Sequence, residues 1–485
     1  MPTFVSELEP RALWSHFDSI LATPRPSKKE GAMRELVLGI ARGRGLETRV
    51  DDFGNVVVVV PATAGREAAQ TVVLQSHLDM VCEKNSGVDF DFDTDPILPR
   101  RDGDWLYATG TTLGSDNGIG VAAMLALASE GGLAHGPLEL LFTVEEEIGL
   151  NGAGALDSAL VTGRILLNLD TEEERALYVG CAGGAGSEIR MPLDAMFGAE
   201  GRVALRVAVG GLKGGHSGVD IHLQRGNANR ILARALWALL PEFACEVFSF
   251  SGGNLTNAIP REAEAAVRIA RDDRAAFEAA LAAQLAAARD ELATVDGGLS
   301  WKIVETSDPA AVWSDAASAR ALALLAGLPH GVLRMSDDIP ALVETSTNLA
   351  RVRTDGGTLC IAISNRSSVA SALAAAQRRT AAFAELAGAE VVVEEGYPGW
   401  KPNLDSPVLA VLRRAHEREL GSAPAIQAIH AGLECGVLGE KLPGCDMVSF
   451  GPQIEFPHSP DERVLIPSVE RFWRLLGAAL VELAA

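Results

Sequence analysis

Residues Thr71–Asp79 read TVVLQSHLD, an apolar run that ends at a histidine, with an aspartate two residues further on. Its β-branched residues are typical of a buried strand in a parallel sheet. Side chains two residues apart in an extended chain point the same way, so His77 and Asp79 share a face. An imidazole beside a carboxylate at a strand end suits a metal ligand oriented by an acid. On its own, the pair fits a surface histidine next to an acid equally well.

The same arrangement recurs further along the chain. GSDNG carries Asp116 at the start of a predicted helix, and PLELLFT runs into three glutamates. RILLNL ends at Asp170, and MVSF precedes a loop that carries His458. Open α/β sheets bind ligands outside the carboxyl ends of their strands, so we predict that these loops form one site. The alternatives are a helix N-cap for Asp116 and a solvated acidic loop for Glu145–Glu147.

The pattern predicts an α/β protein with a discontinuous first domain, residues 1–185 and 397–485. Its sheet is expected to be mostly parallel, with helices on both faces, because helices alternate with apolar strands. Residues 186–396 instead predict an inserted α+β domain, and its roughly 210 residues are enough for two lobes. The spacing predicts helices at 11–21, 29–45, 227–240, 274–293 and 371–386, and strands at 71–76, 203–209, 263–270 and 358–364.

Composition excludes several classes of protein. The net charge of -22 argues against nucleic acid or a membrane surface as partner, since both require a cationic face. No apolar run approaches the roughly 20 residues that span a bilayer, and the acidic N-terminus has no secretory signal pattern. The six cysteines show no CxxC spacing, which is typical of reduced thiols. We therefore expect a soluble, cytoplasmic protein.

The candidate residues form a donor set for two zinc ions, namely two imidazoles and three carboxylates of which one is shared. Two metal ions about 3.5–4 Å apart bind a hydroxide between them and polarise a carbonyl. A further carboxylate must then carry the proton to a leaving amine, and the glutamate run supplies it. Calcium is disfavoured because it takes oxygen ligands rather than imidazole.

Several motifs resemble those of the aminoacyl-histidine dipeptidases, bacterial cytosolic enzymes of the co-catalytic zinc metallopeptidase superfamily that also includes carnosinases and aminoacylases. The likeness covers nearly the whole chain. The shared motifs are HLDM at 77–80, GSDNG at 114–118, EEIG at 146–149, LDTEE at 169–173, GGHSG at 214–218 and PHSPDE at 457–462. Those particular to the dipeptidase branch are NAIPRE at 257–262, YPGW at 397–400 and HAGLECG at 430–436.

The resemblance implies that the first domain is catalytic, that the insertion is a lid, and that two zinc ions share one carboxylate. Cobalt or manganese would be able to replace zinc. The implied ligands are His77, Asp116 and Asp170 for one ion, and Asp116, Glu147 and His458 for the other.

The resemblance also implies that Asp79 orients His77 and that Glu146 is the general base. The sequence has an additional Glu145 ahead of the usual pair. When the motif EE-x-G is aligned on Gly149, its two glutamates are Glu146 and Glu147. Glu145 is then an additional neighbour, which we expect to raise the pKa of Glu146.

Four further residues are predicted to contact substrate. By resemblance, His216 stabilises the tetrahedral oxyanion, while Asn257 and Arg366 bind the substrate's C-terminal carboxylate, which suits the guanidinium fork. The alternatives are a turn histidine among glycines, a turn asparagine near Pro260 and a surface arginine. Charge complementarity alone suggests that Glu434 binds the substrate's amino group, with a buried polar residue as the equal alternative.

The leading hypothesis is a di-zinc dipeptidase that hydrolyses Xaa-His and other short dipeptides, β-alanyl-histidine included, and forms a homodimer. The alternative enzyme is an N-acyl amino acid amidohydrolase with the same metal centre. A metal-binding scaffold without catalysis is disfavoured, because every ligand position and the base are present.

Overall fold

The structure is a computed structural model that describes residues 2–129 and 133–485. The chain forms two compact units. The first unit comprises the residues up to Cys181, Trp400–Ala428 and Leu433–Ala485. The second unit comprises Ala182–Gly399 and the short segment Ile429–Gly432.

The described residues contain twelve α-helices: α1 (Arg11–Leu21), α2 (Gly31–Gly43), α3 (Ser115–Ser129), α4 (Asn151–Ala155), α5 (Ala228–Leu239), α6 (Arg274–Glu291), α7 (Ala293–Asp296), α8 (Asp315–Gly327), α9 (Ala370–Leu386), α10 (Pro407–Leu420), α11 (Glu434–Lys441) and α12 (Ile466–Leu483). None of them has the length and hydropathy that a membrane-spanning helix needs.

They also contain strands, which number in chain order as β1 (Glu47–Val50), β2 (Val56–Val60), β3 (Val72–His77), β4 (Pro99–Asp102), β5 (Trp105–Ala108), β6 (Leu138–Thr143), β7 (Ile165–Asn168), β8 (Ala176–Cys181), β9 (Gly183–Pro192), β10 (Ala195–Met196), β11 (Arg202–Gly210), β12 (Glu246–Gly252), β13 (Ala263–Ala270), β14 (Ser300–Glu305), β15 (Val312–Trp313), β16 (Gly331–Met335), β17 (Val343–Asp355), β18 (Thr358–Ser367), β19 (Glu390–Val393), β20 (Ala425–Ile429), β21 (Asp446–Ser449), β22 (Ile454–Glu455) and β23 (Arg463–Leu465).

The first unit is built on an eight-stranded sheet with the order β1-β2-β6-β3-β7-β21-β8-β20. Its four central strands, β6, β3, β7 and β21, are mutually parallel. Every residue of β3 and β6 is buried, as expected for parallel strands covered on both faces. The predicted α/β fold with a mostly parallel sheet is therefore confirmed at its centre, while antiparallel pairings extend the sheet at β2, β1 and β8.

Helix α3 packs against the middle of this sheet, with contacts to β3 and to α1. Apart from Asp116, each of its residues from Ser115 to Ser129 is buried. A helix that is apolar all round is buried all round, and its many glycines and alanines allow close packing. The partly accessible Asp116 therefore lies at the N-terminal end of a buried element.

The second unit is built on a nine-stranded sheet with the order β14-β11-β13-β12-β17-β18-β9-β19, to which β16 adds through β17. Its pairings are antiparallel, in agreement with the predicted α+β texture. Helix α5 packs against α6 and α8, and each of these three helices also contacts β12 or β13. Helix α9 packs on β9 and β18. The length of the insertion allowed for two lobes. Nine of its strands form one continuous sheet, with a large hydrophobic cluster and a smaller one formed by Ile221, Ile259 and Val343.

Candidate metal centre

The central strands of the first unit deliver the candidate ligands at their carboxyl ends. His77 is the last residue of β3, Asp170 follows the end of β7 by two residues, and Glu147 follows the end of β6. His77 Nε2 lies 3.3 Å from Asp170 Oδ1, and His458 Nε2 lies 3.1 Å from Glu147 Oε2. Parallel strands end at one edge of a sheet, which explains why residues so far apart in sequence meet.

Asp116 joins the two histidines. Its Oδ1 lies 3.2 Å from His77 Nε2, and its Oδ2 lies 3.3 Å from His458 Nε2. A carboxylate that presents a different oxygen to each imidazole has the arrangement required of a bridging ligand. Potential ligand atoms fall within 4.8 Å of one another in three sets, which are His77, Asp116 and Asp170; Asp116, Glu147 and His458; and His77, Glu146 and Glu147.

Asp79 is fully buried and connects two parts of the centre. Its Oδ1 lies 3.4 Å from His77 Nδ1, and its carboxylate accepts hydrogen bonds from the backbone N–H groups of Glu146 (3.1 Å) and Glu147 (3.2 Å). Ser27 Oγ donates a further bond of 2.7 Å. One carboxylate therefore lies against the imidazole of His77 and accepts hydrogen bonds from the backbone of the glutamate run.

The pKa of Glu146 is raised well above its usual value, chiefly by burial, and the carboxylates of Asp170, Glu147 and Glu434 add to the shift against the opposing effect of His77. Glu145, the neighbour expected to cause this shift, instead accepts a hydrogen bond of 3.1 Å from Asn151 Nδ2. Its φ of 53° is left-handed and turns its side chain away from the direction that simple strand alternation would give.

The centre carries an excess of buried negative charge. Hydrogen bonds to Asp116 and Glu147 raise the pKa of His458 to about 11. Burial disfavours the charged form of His77, but Asp170 and Asp116 outweigh it and raise its pKa well above 6.5. Both imidazoles are thus placed where positive charge is stabilised, and a cation would supply that charge in place of protons.

The residues present fit a pair of zinc ions. Glu147 Oε1 and Asn117 Oδ1 are buried and have no hydrogen-bond partner in the described chain. Buried polar atoms of this kind normally have partners, and Glu147 belongs to two of the three sets of potential ligand atoms, so its Oε1 is left for an ion. The mixture of imidazole and carboxylate donors suits zinc better than calcium.

Glu462 is a supporting residue to which the sequence analysis gave no role. This buried carboxylate accepts bonds from the backbone N–H groups of Leu113 (2.8 Å), Gly114 (2.9 Å) and Ser115 (2.7 Å), and from Ser115 Oγ (2.6 Å). It thereby fixes the loop that presents Asp116. The sequence signal for this role was that Glu462 lies four residues after His458, in the same motif PHSPDE.

Arg25 supports the same centre from the turn after α1. Its buried guanidinium donates to the carbonyl oxygens of Leu78 (3.0 Å) and Asp79 (2.7 Å), and also to that of Gly114. It therefore ties the loop after β3 to the loop before α3. No spacing in the sequence connects a residue at position 25 with these loops.

The second unit holds three of the predicted substrate residues. His216 and Asn257 line a cavity of about 1150 Å³ in this unit, and the Asn257 side chain is exposed. His216 Nδ1 accepts backbone N–H bonds from Gly218 (3.2 Å) and Val219 (3.1 Å), which leaves the ring proton on Nε2. Burial and the charge of Arg366 lower the pKa of His216, so the ring is a neutral N–H donor.

Glu434 lies at the start of α11 in the first unit and is fully buried. Its Oε2 accepts bonds from Gln75 Nε2 (2.5 Å) and Thr143 Oγ1 (2.8 Å), while Oε1 has no partner among the described residues. Burial raises its pKa to about 8. Oε1 is the atom left for the predicted contact with a substrate amino group, and that role stays a prediction.

The sequence matches the profile of Peptidase family M20/M25/M40 over residues 73–482. The chain belongs to this family. The M20 peptidases are metal-dependent peptide-bond hydrolases, so this M20 protein is an enzyme that cleaves peptide bonds. The family assignment accounts for the grouping of imidazoles and carboxylates at the sheet edge.

Two relatives resemble this M20 enzyme over almost their whole length. The cytosol non-specific dipeptidase of Escherichia coli K12 is 40% identical over 481 residues, which are 99% of each chain. The crystal structure of aminoacylhistidine dipeptidase from Vibrio alginolyticus is 41% identical, with a TM-score of 0.92 over 99% of this chain and 98% of that one. The predicted resemblance to aminoacyl-histidine dipeptidases is therefore confirmed. Aminopeptidase PepT from Bacillus cereus, at 18% identity and a TM-score of 0.57 over 99% of this chain and 100% of that one, shares the fold.

Proposed function

We propose that this M20 enzyme is a cytosolic di-zinc dipeptidase that hydrolyses Xaa-His and other short dipeptides, β-alanyl-histidine included. The observation that carries the proposal is Asp116, whose two oxygens face His77 and His458 at 3.2 and 3.3 Å. The full-length similarity to two named dipeptidases supports the substrate class. We also propose a homodimer, which multi-angle light scattering would test by giving about twice the chain mass of 50.9 kDa.

The ligands proposed for the two ions are His77, Asp116 and Asp170 for one, and Asp116, Glu147 and His458 for the other. When bound, zinc would supply Lewis acidity to the scissile carbonyl and to the attacking water. Asp79, whose Oδ1 lies 3.4 Å from His77 Nδ1, is proposed to orient the imidazole so that Nε2 faces the metal.

Glu146 is proposed as the general base and acid. Its carboxylate takes a proton from the attacking water as the new C–O bond forms, and it returns that proton to the amine nitrogen as the C–N bond breaks. The backbone N–H of Glu146 bonds Asp79, so the residue is held beside the ligands it serves. His216 is proposed to donate from Nε2 to the carbonyl oxygen as negative charge develops there.

Substitution Glu146→Gln tests the proposal. It should lower kcat for β-alanyl-histidine by about 10²–10⁴-fold, because proton transfer is lost, while the zinc content measured by mass spectrometry stays at two per chain. Glu145→Gln is the matched control, since Glu145 is adjacent but bonds Asn151, and it should retain activity. Loss of zinc from the Glu146 variant would make Glu146 a ligand and contradict the assignment.

The substrate class is tested by comparing β-alanyl-histidine and other dipeptides with N-acetyl amino acids. A dipeptidase should prefer substrates with a free amino group. Equal or faster hydrolysis of the acetylated compounds would instead identify an N-acyl amino acid amidohydrolase with the same metal centre.

A further inference from the structure

We propose that Tyr397 is a positioning residue that orients Arg366 to bind the C-terminal carboxylate of a dipeptide through its Nε edge. This inference rests on the proposed dipeptidase function, and it adds a residue and a geometry to the carboxylate recognition predicted for Arg366. All the contacts that carry it lie within the second unit.

Arg366, on β18, is a buried cation without an anionic partner. It is 8% exposed, and no carboxylate of the described residues forms an ion pair with it. Its Nη1 donates a 2.9 Å hydrogen bond to Tyr397 Oη, whereas its buried Nε has no partner. A buried charge is costly unless it is paired, so this guanidinium is arranged for an anion that comes from outside the chain.

Glycines on both sides allow the Tyr397 ring to reach Arg366. Gly184 on β9 pairs with Arg366 on one side and with Tyr397 on the other. A Cβ at Gly184 would lie 2.8 Å from Tyr397 Oη, and one at Gly432 would lie 3.0 Å from Tyr397 Cε2. Gly184 has no side chain to stand between its two neighbours, so the phenol of Tyr397 lies directly against the guanidinium of Arg366.

The tyrosine decides which edge of the guanidinium is left for a ligand. The Tyr397 hydroxyl accepts the hydrogen bond from Nη1, so the edge of the guanidinium that contains Nε has no partner. Arginine binds a carboxylate with two parallel hydrogen bonds, and this edge is the one available for it. A Cβ at Gly218 would lie 3.2 Å from Arg366 Nε and 3.1 Å from His216 Cε1. Gly218 thus lies close to both Arg366 Nε and the His216 ring, and a Cβ there would also overlap the backbone oxygen of His430, so the absence of a side chain lets these three groups pack together.

The test is Tyr397→Phe, which removes only the hydroxyl. We expect KM for a dipeptide with a free carboxylate to rise about tenfold, in line with the loss of one hydrogen bond to a charged group. We expect kcat to stay within about twofold, and KM for the corresponding dipeptide amide to be unchanged, because the amide has no charge for Arg366 to bind. A purely structural role would lower the melting temperature and affect both substrates alike.

Tyr107→Phe is the matched control, because Tyr107 Oη also accepts a 2.9 Å bond from an arginine, Arg463 Nη1, but lies in the first unit. It should leave both KM values unchanged. An unchanged KM for the free acid in Tyr397→Phe, an equal rise for acid and amide, or a fall in kcat alone would overturn the proposal.

A direct binding measurement separates this inference from the proposed function. If the wild-type enzyme hydrolyses no dipeptide, the proposed function fails, but calorimetric titration with L-histidine and L-histidinamide still tests Tyr397. The inference predicts that Tyr397→Phe weakens binding of histidine about tenfold and leaves that of histidinamide unchanged. Equal binding of histidine by the wild type and the variant would refute it.

Discussion

At the scale of single residues, the metal centre depends on buried groups that touch no substrate. Glu462 and Arg25 bind backbone atoms of the loops that present His77 and Asp116. Such supporting groups determine how accurately ligands are held, and replacing them typically lowers metal affinity by 10–100-fold.

We expect Glu462→Gln to weaken zinc binding by about 10–100-fold, because the amide places N–H groups against the backbone donors of Leu113 to Ser115. Competition with a fluorescent chelator measures the affinity. Asp461→Asn is the control, since Asp461 is exposed and adjacent. Unchanged zinc affinity in the Glu462 variant would show that the loop holds its conformation without this carboxylate.

A second residue-scale prediction concerns acid stability and His430. This buried imidazole bonds Ser346 Oγ at 2.7 Å, and burial, with the charge of Arg366, lowers its pKa to about 3. The unfolded chain binds the proton near its ordinary pKa of about 6.5. Its contribution to stability is therefore complete above pH 6.5 and declines as the pH falls towards 3, by up to about 1.4 kcal/mol per pH unit.

His430→Gln should remove this part of the pH dependence. Urea unfolding at pH 7 and pH 5 measures the effect, and the loss of stability between the two should be smaller in the variant than in the wild type. An identical loss in wild type and His430→Gln would rule out a buried, neutral His430.

At the scale of elements, a row of polar side chains crosses the four parallel strands just below the metal ligands. Gln75 on β3 accepts a 2.6 Å bond from Asn168 Nδ2 on β7, and Ser449 on β21 donates to Asn168 Oδ1. Gln75 in turn donates to Glu434, which Thr143 on β6 also bonds. Polar groups inside a sheet core are costly unless all are paired, so this row fixes the register of the strands that carry the ligands.

A double-mutant cycle tests this row. Gln75→Leu and Asn168→Leu should each destabilise the first unit by about 1–3 kcal/mol, because each leaves a buried partner unsatisfied. The double variant should lose less than the sum, since the two partners are removed together. Urea unfolding gives the three free energies. Strict additivity would show that the 2.6 Å bond does not couple the strands.

At the scale of the whole molecule, all five proposed ligands lie in the first unit, so metal should stabilise the two units unequally. Free zinc at 100 times its Kd should add about 2.7 kcal/mol to the unit that binds it. Hydrogen exchange with and without a chelator would measure this in peptides from β3 and α3, with peptides from β11 and β13 as the internal control. Equal protection of both units by zinc would contradict this prediction. Hydrolytic activity that persists after complete metal removal would contradict the proposed mechanism.

The amino-acid sequence was enough to predict the elements in which apolar residues recur at a regular spacing. Helix 11–21 and strand 263–270 were predicted with the bounds that the structure shows, and the predicted helix 29–45 is Gly31–Gly43. It missed β9, whose segment GGAGSEIRMP begins with glycines that hide the strand pattern. The prediction also missed α8 and α10, although the sequences of both are ordinary for helices. Local periodicity reports burial of one face, so it fails at β9, where glycines and pairing with β18 decide the conformation.

The sequence also determined the type of chemistry, because histidines and acids recur at the ends of apolar runs. Three contacts became visible only in the folded chain: both oxygens of Asp116 face a histidine, Glu145 bonds Asn151, and Tyr397 bonds Arg366 across Gly184. These contacts join residues separated by up to 342 positions. Their geometry follows from the register of the strands and the packing of the loops, which no local pattern of residues encodes.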